Sequence, residues 1–160
     1  MHSAGWIHSD IKPANVIGHV NGHATLIDYG FAVRCQDAGV GQYRQPLCTL
    51  KSTMSYTAPE LFTSNQSATS ASDVYSLGVV LFELLTGQLP FPQKNAGLLA
   101  EAHLSAPPPS PRSFVSCLPK NVSQLVTRMM SKDPARRPST SGELQYELRL
   151  MEVETFAMRA

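Results

Sequence analysis

Cysteine is scarce in this chain, and the long apolar runs and leading signals of membrane or secreted proteins are lacking. Its three cysteines are odd in number and irregularly spaced, so they predict neither a disulfide framework nor a zinc site. The longest apolar stretch, residues 77–85, is interrupted by Glu83 and is far shorter than the roughly 20 residues of a membrane span. The first residues lack the charged region and apolar core of a secretion signal. We therefore expect an intracellular protein, cytoplasmic with the nucleus as the alternative, and no membrane partner.

An excess of charge of one sign is also lacking. The chain has 13 Lys and Arg against 12 Asp and Glu, a formal net charge of +1. The basic pair Arg136-Arg137 is too short to indicate nucleic-acid binding, and Asp133 offsets it. We therefore expect no nucleic-acid partner. With 160 residues, 42% of them hydrophobic, the chain is long enough for one domain with a core.

Three short motifs follow one another in the first part of the chain. They are residues 8–15 (HSDIKPAN), residues 28–30 (DYG) and residues 58–60 (APE). Any one of them alone would be weak evidence, because patterns this short arise by chance. In this order they resemble the catalytic loop, the metal-binding segment and the closing motif of the activation segment in protein kinases. By this resemblance the chain is identified as a member of the eukaryotic-type protein kinase superfamily, serine/threonine class.

The resemblance implies a mainly α fold. It is the C-terminal lobe of a kinase, a helical bundle with one or two short β-hairpins at the catalytic and metal-binding loops. The lobe is expected to cover residues 1–150, with residues 151–160 as a C-terminal helical extension. Only seven residues precede His8, and the sequence contains neither the glycine-rich run nor the strand lysine of the other lobe. We therefore expect the C-terminal lobe alone, without the N-terminal lobe.

The motif residues suit phosphoryl transfer to a hydroxyl, which needs a proton acceptor and cations around the moving phosphoryl group. We predict that Asp10 is the base. Asn15 and Asp28 offer hard oxygen ligands suited to Mg²⁺, and we predict that they form the metal site. Lys12 would place an ammonium near the transferred phosphate of ATP and the substrate oxygen. By resemblance, Lys12 marks the serine/threonine class, and Thr53 matches the threonine which that class places against the catalytic aspartate and lysine.

The resemblance also implies a set of structural residues. Glu60 would pair with Arg137, an ion pair with which the family anchors the activation segment. Asp73, which opens the longest predicted helix, could cap that helix through backbone N–H bonds, and the resemblance adds contact with the catalytic-loop backbone. His8 is also expected to be structural. Tyr29 stands where the family has phenylalanine, so it adds a hydroxyl that needs a partner when buried.

Ser9 is a second departure from the family pattern, which has arginine at this position. The change removes the cation that would receive a phosphate on the activation loop. We expect that phosphorylation of the loop is not required through that route.

Apolar periodicity predicts helices at residues 71–86, 95–104, 122–130 and 143–151. Residues 16–18 and 24–27 are typical of two strands around the turn Asn21-Gly22. The start of the chain is typical of the last turn of a helix that Gly5 ends. Residues 32–50 are typical of a mobile loop.

The predicted function is that of a serine/threonine protein kinase, which transfers the γ-phosphoryl group of ATP, with Mg²⁺, to a Ser or Thr hydroxyl of a protein substrate. Two alternatives stay open: a kinase lobe that binds substrates or regulators without transferring phosphate, and a degraded product that does not fold stably. Residues 107–112 (PPPSPR) match a polyproline ligand of an SH3-like partner, although an ordinary linker between helices is the favoured interpretation.

Overall fold

The computed structural model describes residues 1–35, 54–63 and 67–157, with side chains described as far as Met151. This part of the chain is mainly helical, with two small antiparallel sheets. The strands are β1 Trp6–Ile7, β2 Val16–Gly18, β3 Ala24–Leu26 and β4 Val33–Arg34. The α-helices are α1 Ser70–Thr86, α2 Ala96–Ser105, α3 Lys120–Met129 and α4 Ser141–Ala157. Thr53 and most of the predicted loop 32–50 lie outside the described residues.

The first residues form one short turn before the first strand. His2–Ala4 is a 3₁₀ turn that ends at Gly5, whose φ of 74° is left-handed and whose N–H donates to the His2 carbonyl. This confirms the predicted helical turn and its glycine cap. β1 then pairs with β4, so the prediction of a mobile loop over residues 32–50 is wrong at β4. The two strands are not a hairpin, because the whole segment with the catalytic and metal-binding motifs lies between them.

The second sheet is the predicted hairpin of β2 and β3. Its strands pair antiparallel with Ile17 opposite Thr25, and Gly22 in the turn has φ 82°. A positive φ favours glycine, which explains why the Asn21-Gly22 turn signal works here. Asn15 directly precedes β2 and Asp28 follows β3 by two residues. The hairpin therefore brings the two predicted metal ligands back to the same end of the sheet.

The long helix α1 forms the centre of the core. Thr69 caps it in a capping box with Ser72, so the cap is Thr69 rather than Asp73, and Gly87 ends the helix at φ 71°. Its buried face packs on α3, and a Cβ at Gly78 would lie 2.8 Å from the Met129 Cβ. Close packing of the two helices therefore depends on this glycine. The main buried cluster consists of Ala58, Tyr75, Val79, Phe82, Val126 and Met130.

The other helices confirm the predicted elements with shifted ends. Asn95 caps α2 through bonds to the N–H groups of Gly97 and Leu98, so the helix starts one residue after the predicted start. α3 begins at Lys120, before the predicted residue 122, and α4 continues without a break past residue 151. No helix in the described part of the chain has the length and apolar character needed to cross a membrane.

His103 in α2 is a fully buried titratable group of the core. Its ring lies against Phe62, Tyr75 and Phe91, and its Nδ1 is 2.9 Å from the Tyr75 hydroxyl. Burial, together with the nearby Lys132 ammonium, lowers the pKa of His103 to about 3. The histidine is therefore neutral in the folded protein at neutral pH.

This burial predicts a pH-dependent stability. An unfolded histidine binds its proton near pH 6.5, so the unfolded state binds more protons than the folded state between about pH 6.5 and pH 3. The stability contributed by neutral His103 is complete above that window, and it falls by about 1.4 kcal/mol per pH unit as the pH drops through it. Urea denaturation at a series of pH values measures this slope. His103→Gln should flatten it, and an unchanged slope in that variant would contradict the assignment.

Candidate active site

Asp73 holds the backbone of the catalytic loop from the start of α1. Its buried carboxylate accepts hydrogen bonds from the N–H groups of His8 at 2.7 Å and Ser9 at 2.9 Å. Ser9 has a left-handed φ of 67°, a conformation that is unfavourable for a residue with a Cβ. The two bonds offset that cost. The His2 ring adds a third contact, with Nε2 2.8 Å from Asp73 Oδ2.

Asp10 lies in the loop that Asp73 holds, and it is 5% exposed. One oxygen, Oδ2, accepts hydrogen bonds from Lys12 Nζ at 2.7 Å and Asn15 Nδ2 at 3.0 Å. Asn15 Nδ2 also donates to the Asp10 carbonyl at 2.8 Å. The other oxygen, Oδ1, is buried and has no hydrogen-bond partner within the described residues. The carboxylate is thus oriented through one oxygen, while the second makes no hydrogen bond within this part of the chain.

His8 connects the catalytic loop to the metal-binding segment. It is fully buried, its Nδ1 is 3.3 Å from the Asp10 N–H and its Nε2 is 3.1 Å from the Ile27 carbonyl. A carbonyl can only accept and a backbone N–H can only donate, so these contacts assign the proton to Nε2. His8 therefore links the two segments through both of its ring nitrogens.

The metal-binding segment is tied to Asn15 through the backbone. The Ile27 N–H donates to the Asn15 carbonyl at 2.9 Å, and Asp28 follows with a left-handed φ of 62° and an exposed side chain. Because Asn15 Nδ2 donates to Asp10, its Oδ1 is the part of the amide that remains for a cation. A carboxylate and an amide oxygen are ligands that Mg²⁺ accepts. The two residues therefore fit the ion.

Glu60 and Arg137 form a buried ion pair with two parallel bonds. Arg137 Nη1 donates to Glu60 Oε1 at 2.7 Å and Nη2 to Oε2 at 2.8 Å, and the side chains are 0% and 6% exposed. The guanidinium also donates to the carbonyls of Ala71, Ser131 and Lys132. These contacts fasten the segment after residue 58 to α1 and to the loop after α3.

Sequence reasoning missed two tertiary pairs, the first of them at this site. One is the contact of His2 with Asp73, and the other is the bond from the Tyr56 hydroxyl to Glu83 Oε2 at 2.6 Å. Burial and the Glu83 carboxylate raise the pKa of Tyr56. The partners are 71 and 27 residues apart, so no local spacing reveals them. The sequence offers only a weak signal for such pairs, which is that a residue able to form a hydrogen bond stands close to one of the motifs.

Comparison with known families matches residues 1–148 to the protein kinase domain. The chain belongs to the protein kinase family. This kinase chain is similar to the serine/threonine-protein kinase PknH of Mycobacterium tuberculosis, with 37% identity over 143 residues that cover 89% of the chain and 22% of that protein. It is 31% identical to the serine/threonine-protein kinase PrkC of Bacillus subtilis over 148 residues, 92% of the chain and 22% of that protein.

The serine/threonine-protein kinase PknA of M. tuberculosis is also similar, with 36% identity over 141 residues, 88% of the kinase chain and 31% of that protein. All three relatives carry the serine/threonine name, so the resemblance is to that class of protein kinase. The chain spans between 22% and 31% of the length of these relatives.

Proposed function

We propose that this kinase chain carries the catalytic loop of an active serine/threonine protein kinase. The observation that supports the proposal most strongly is the state of Asp10. Its carboxylate is buried, Lys12 and Asn15 orient Oδ2, and Oδ1 has no partner among the described residues. A substrate hydroxyl that reached Oδ1 could pass its proton to Asp10 while its oxygen attacked the γ-phosphorus.

The neighbouring residues would support this transfer electrostatically. Asn15 and Asp28 would hold Mg²⁺, which when bound neutralises charge on the phosphates of ATP. Lys12, whose side chain is 22% exposed, would face both Asp10 and the transferred phosphoryl group. We propose Thr53 as the residue that completes the contact with Asp10 and Lys12. The substrate would be a protein Ser or Thr hydroxyl.

The closing experiment for this proposal uses protein tagged at its C-terminus and purified from its own cells. Phosphate incorporated into Ser and Thr of a peptide library, and lost in an Asp10→Ala version, would support it. Equal incorporation by both versions would reject it. An immunoblot with mass spectrometry of the N-terminal peptides gives the length of the protein that was assayed.

The isolated 160-residue chain is expected to transfer little or no phosphate. Positioning and electrostatic stabilisation supply nearly all catalysis of phosphoryl transfer, and these 160 residues contain no glycine-rich G-x-G-x-x-G run to cover the phosphates. The measurement is ³²P incorporation into a protein substrate by the purified recombinant chain. Steady incorporation that Asp10→Ala abolishes would contradict the expectation.

A kinase lobe that binds without transferring phosphate is the second candidate. Aromatic side chains in and directly after the metal-binding segment are exposed, Tyr29 at 57% and Phe31 at 48%. Exposed apolar groups of this kind favour contact with another protein surface. Binding of a substrate with no phosphate transfer by the protein from cells would favour this candidate.

A further inference from the structure

Tyr29 makes a bond that the phenylalanine of the family pattern cannot make. Its hydroxyl donates to the Leu26 carbonyl at 2.7 Å. The side chain is 57% exposed, so the hydroxyl is bonded although it is not buried. The ring lies edge-on to the His8 ring, with centroids 5.5 Å apart. A phenylalanine would keep the ring contact and lose only the bond to Leu26.

The bond from Tyr29 to Leu26 closes a short turn whose centre includes Asp28. Asp28 has the left-handed φ of 62°, which residues with a Cβ adopt infrequently, although aspartate does so more readily than most. Two further bonds lie in the same turn. The Gly30 N–H donates to Asp28 Oδ1 at 3.3 Å, and the Ala32 N–H donates to the Tyr29 carbonyl at 3.0 Å.

The other end of this turn is already fixed. Ile27 donates its N–H to the Asn15 carbonyl and accepts a bond from His8. Beyond Ile27 the segment is exposed, so water competes for each of its polar groups. Among the described residues, the Tyr29 hydroxyl is the side-chain group that connects the exposed part of the turn to the end of β3, through its hydrogen bond to the Leu26 carbonyl.

We propose that the Tyr29 hydroxyl is a positioning group that closes the turn around Asp28 and so holds the Asp28 carboxylate in place for a divalent cation. Asp28 as a metal ligand rests on the proposed function. The effect of the hydroxyl on the turn does not, because it depends only on the contacts with Leu26 and within residues 26–32.

Hydrogen exchange separates the hydroxyl from the ring. Tyr29→Phe should speed exchange of the Gly30 and Ala32 amides by about two- to tenfold, the range that one net hydrogen bond accounts for. Tyr146→Phe, which removes a hydroxyl from a 64% exposed tyrosine in α4, is the matched control and should leave both amides unchanged. Equal exchange in Tyr29→Phe and the unchanged protein, or amides without protection in the unchanged protein, would overturn the proposal.

Metal affinity tests the consequence for Asp28. Mn²⁺, a probe for the Mg²⁺ site, is titrated into each variant and free ion is followed by electron paramagnetic resonance. Tyr29→Phe should weaken binding several-fold at unchanged global stability, and Asp28→Asn should abolish it. If Asp28→Asn loses Mn²⁺ binding while Tyr29→Phe binds Mn²⁺ as tightly as the unchanged protein, the positioning role is wrong and the metal site still stands. No Mn²⁺ binding by the unchanged protein counts against the proposed metal site, and hydrogen exchange then decides on the turn alone.

Discussion

Replacement of Asp10 by alanine is expected to lower kcat for phosphoryl transfer by about 10²- to 10⁴-fold, the range that a positioned general base contributes. The carboxylate has one oxygen fixed by Lys12 and Asn15, and its removal leaves no proton acceptor at that position. The KM for ATP should change far less, because the proposed metal ligands Asn15 and Asp28 remain. Initial rates with a Ser/Thr peptide, at varied ATP, measure both constants for protein purified from its own cells.

Two further variants separate chemistry from folding. Asp10→Asn keeps the size of the side chain and an oxygen that can accept from Lys12, but it removes the basicity. The kcat of Asp10→Asn should fall as far as that of Asp10→Ala, whereas its free energy of unfolding should fall less. Asp133→Asn changes an exposed aspartate after α3, 56% exposed, and should leave kcat unchanged. A kcat of Asp10→Asn within threefold of the unchanged protein would exclude Asp10 as the base.

The sequence was most informative where chemistry demands fixed residues at short spacing. Asp10, Lys12 and Asn15 lie within six residues, and the structure joins them through bonds of 2.7 to 3.0 Å. Helices of two turns or more were also predictable, because apolar periodicity and end residues such as Gly87 act locally. Even there, α1 begins at Ser70 rather than at the predicted residue 71, and its capping box is formed by Thr69. Thr69 has the extended backbone of a cap residue, whereas Asp73 lies inside the helix with its carboxylate bonded to the catalytic loop.

Features that depend on distant partners were not predictable. β1 and β4 have two residues each, too few to show alternation, and they pair only because the chain returns after the metal-binding segment. The contact of His2 with Asp73 and the bond from Tyr56 to Glu83 have no spacing signature for the same reason. His103 illustrates the limit for single residues. Nothing in its local sequence indicates that three aromatic rings from other segments surround it.

Glu60→Gln is expected to lower the free energy of unfolding by about 3–5 kcal/mol, as is typical when one partner of a buried ion pair is removed. The variant keeps the size of the side chain but leaves the Arg137 guanidinium, which is 0% exposed, without a compensating charge. The carbonyls of Ala71, Ser131 and Lys132 still accept its N–H groups, yet they do not neutralise it. Urea denaturation at pH 7 measures the loss.

The same substitution at an exposed pair is the matched control. Glu147 in α4 pairs with Arg128 in α3, and these side chains are 24% and 43% exposed. Glu147→Gln should cost less than about 1 kcal/mol, because water and salt screen a surface pair. A double variant, Glu60→Gln with Arg137→Met, should be more stable than Glu60→Gln alone, since no unpaired charge stays buried. If both variants lose the same free energy of unfolding, burial does not decide the strength of the Glu60–Arg137 pair. The anchoring role that the contacts assign to this pair would then be wrong.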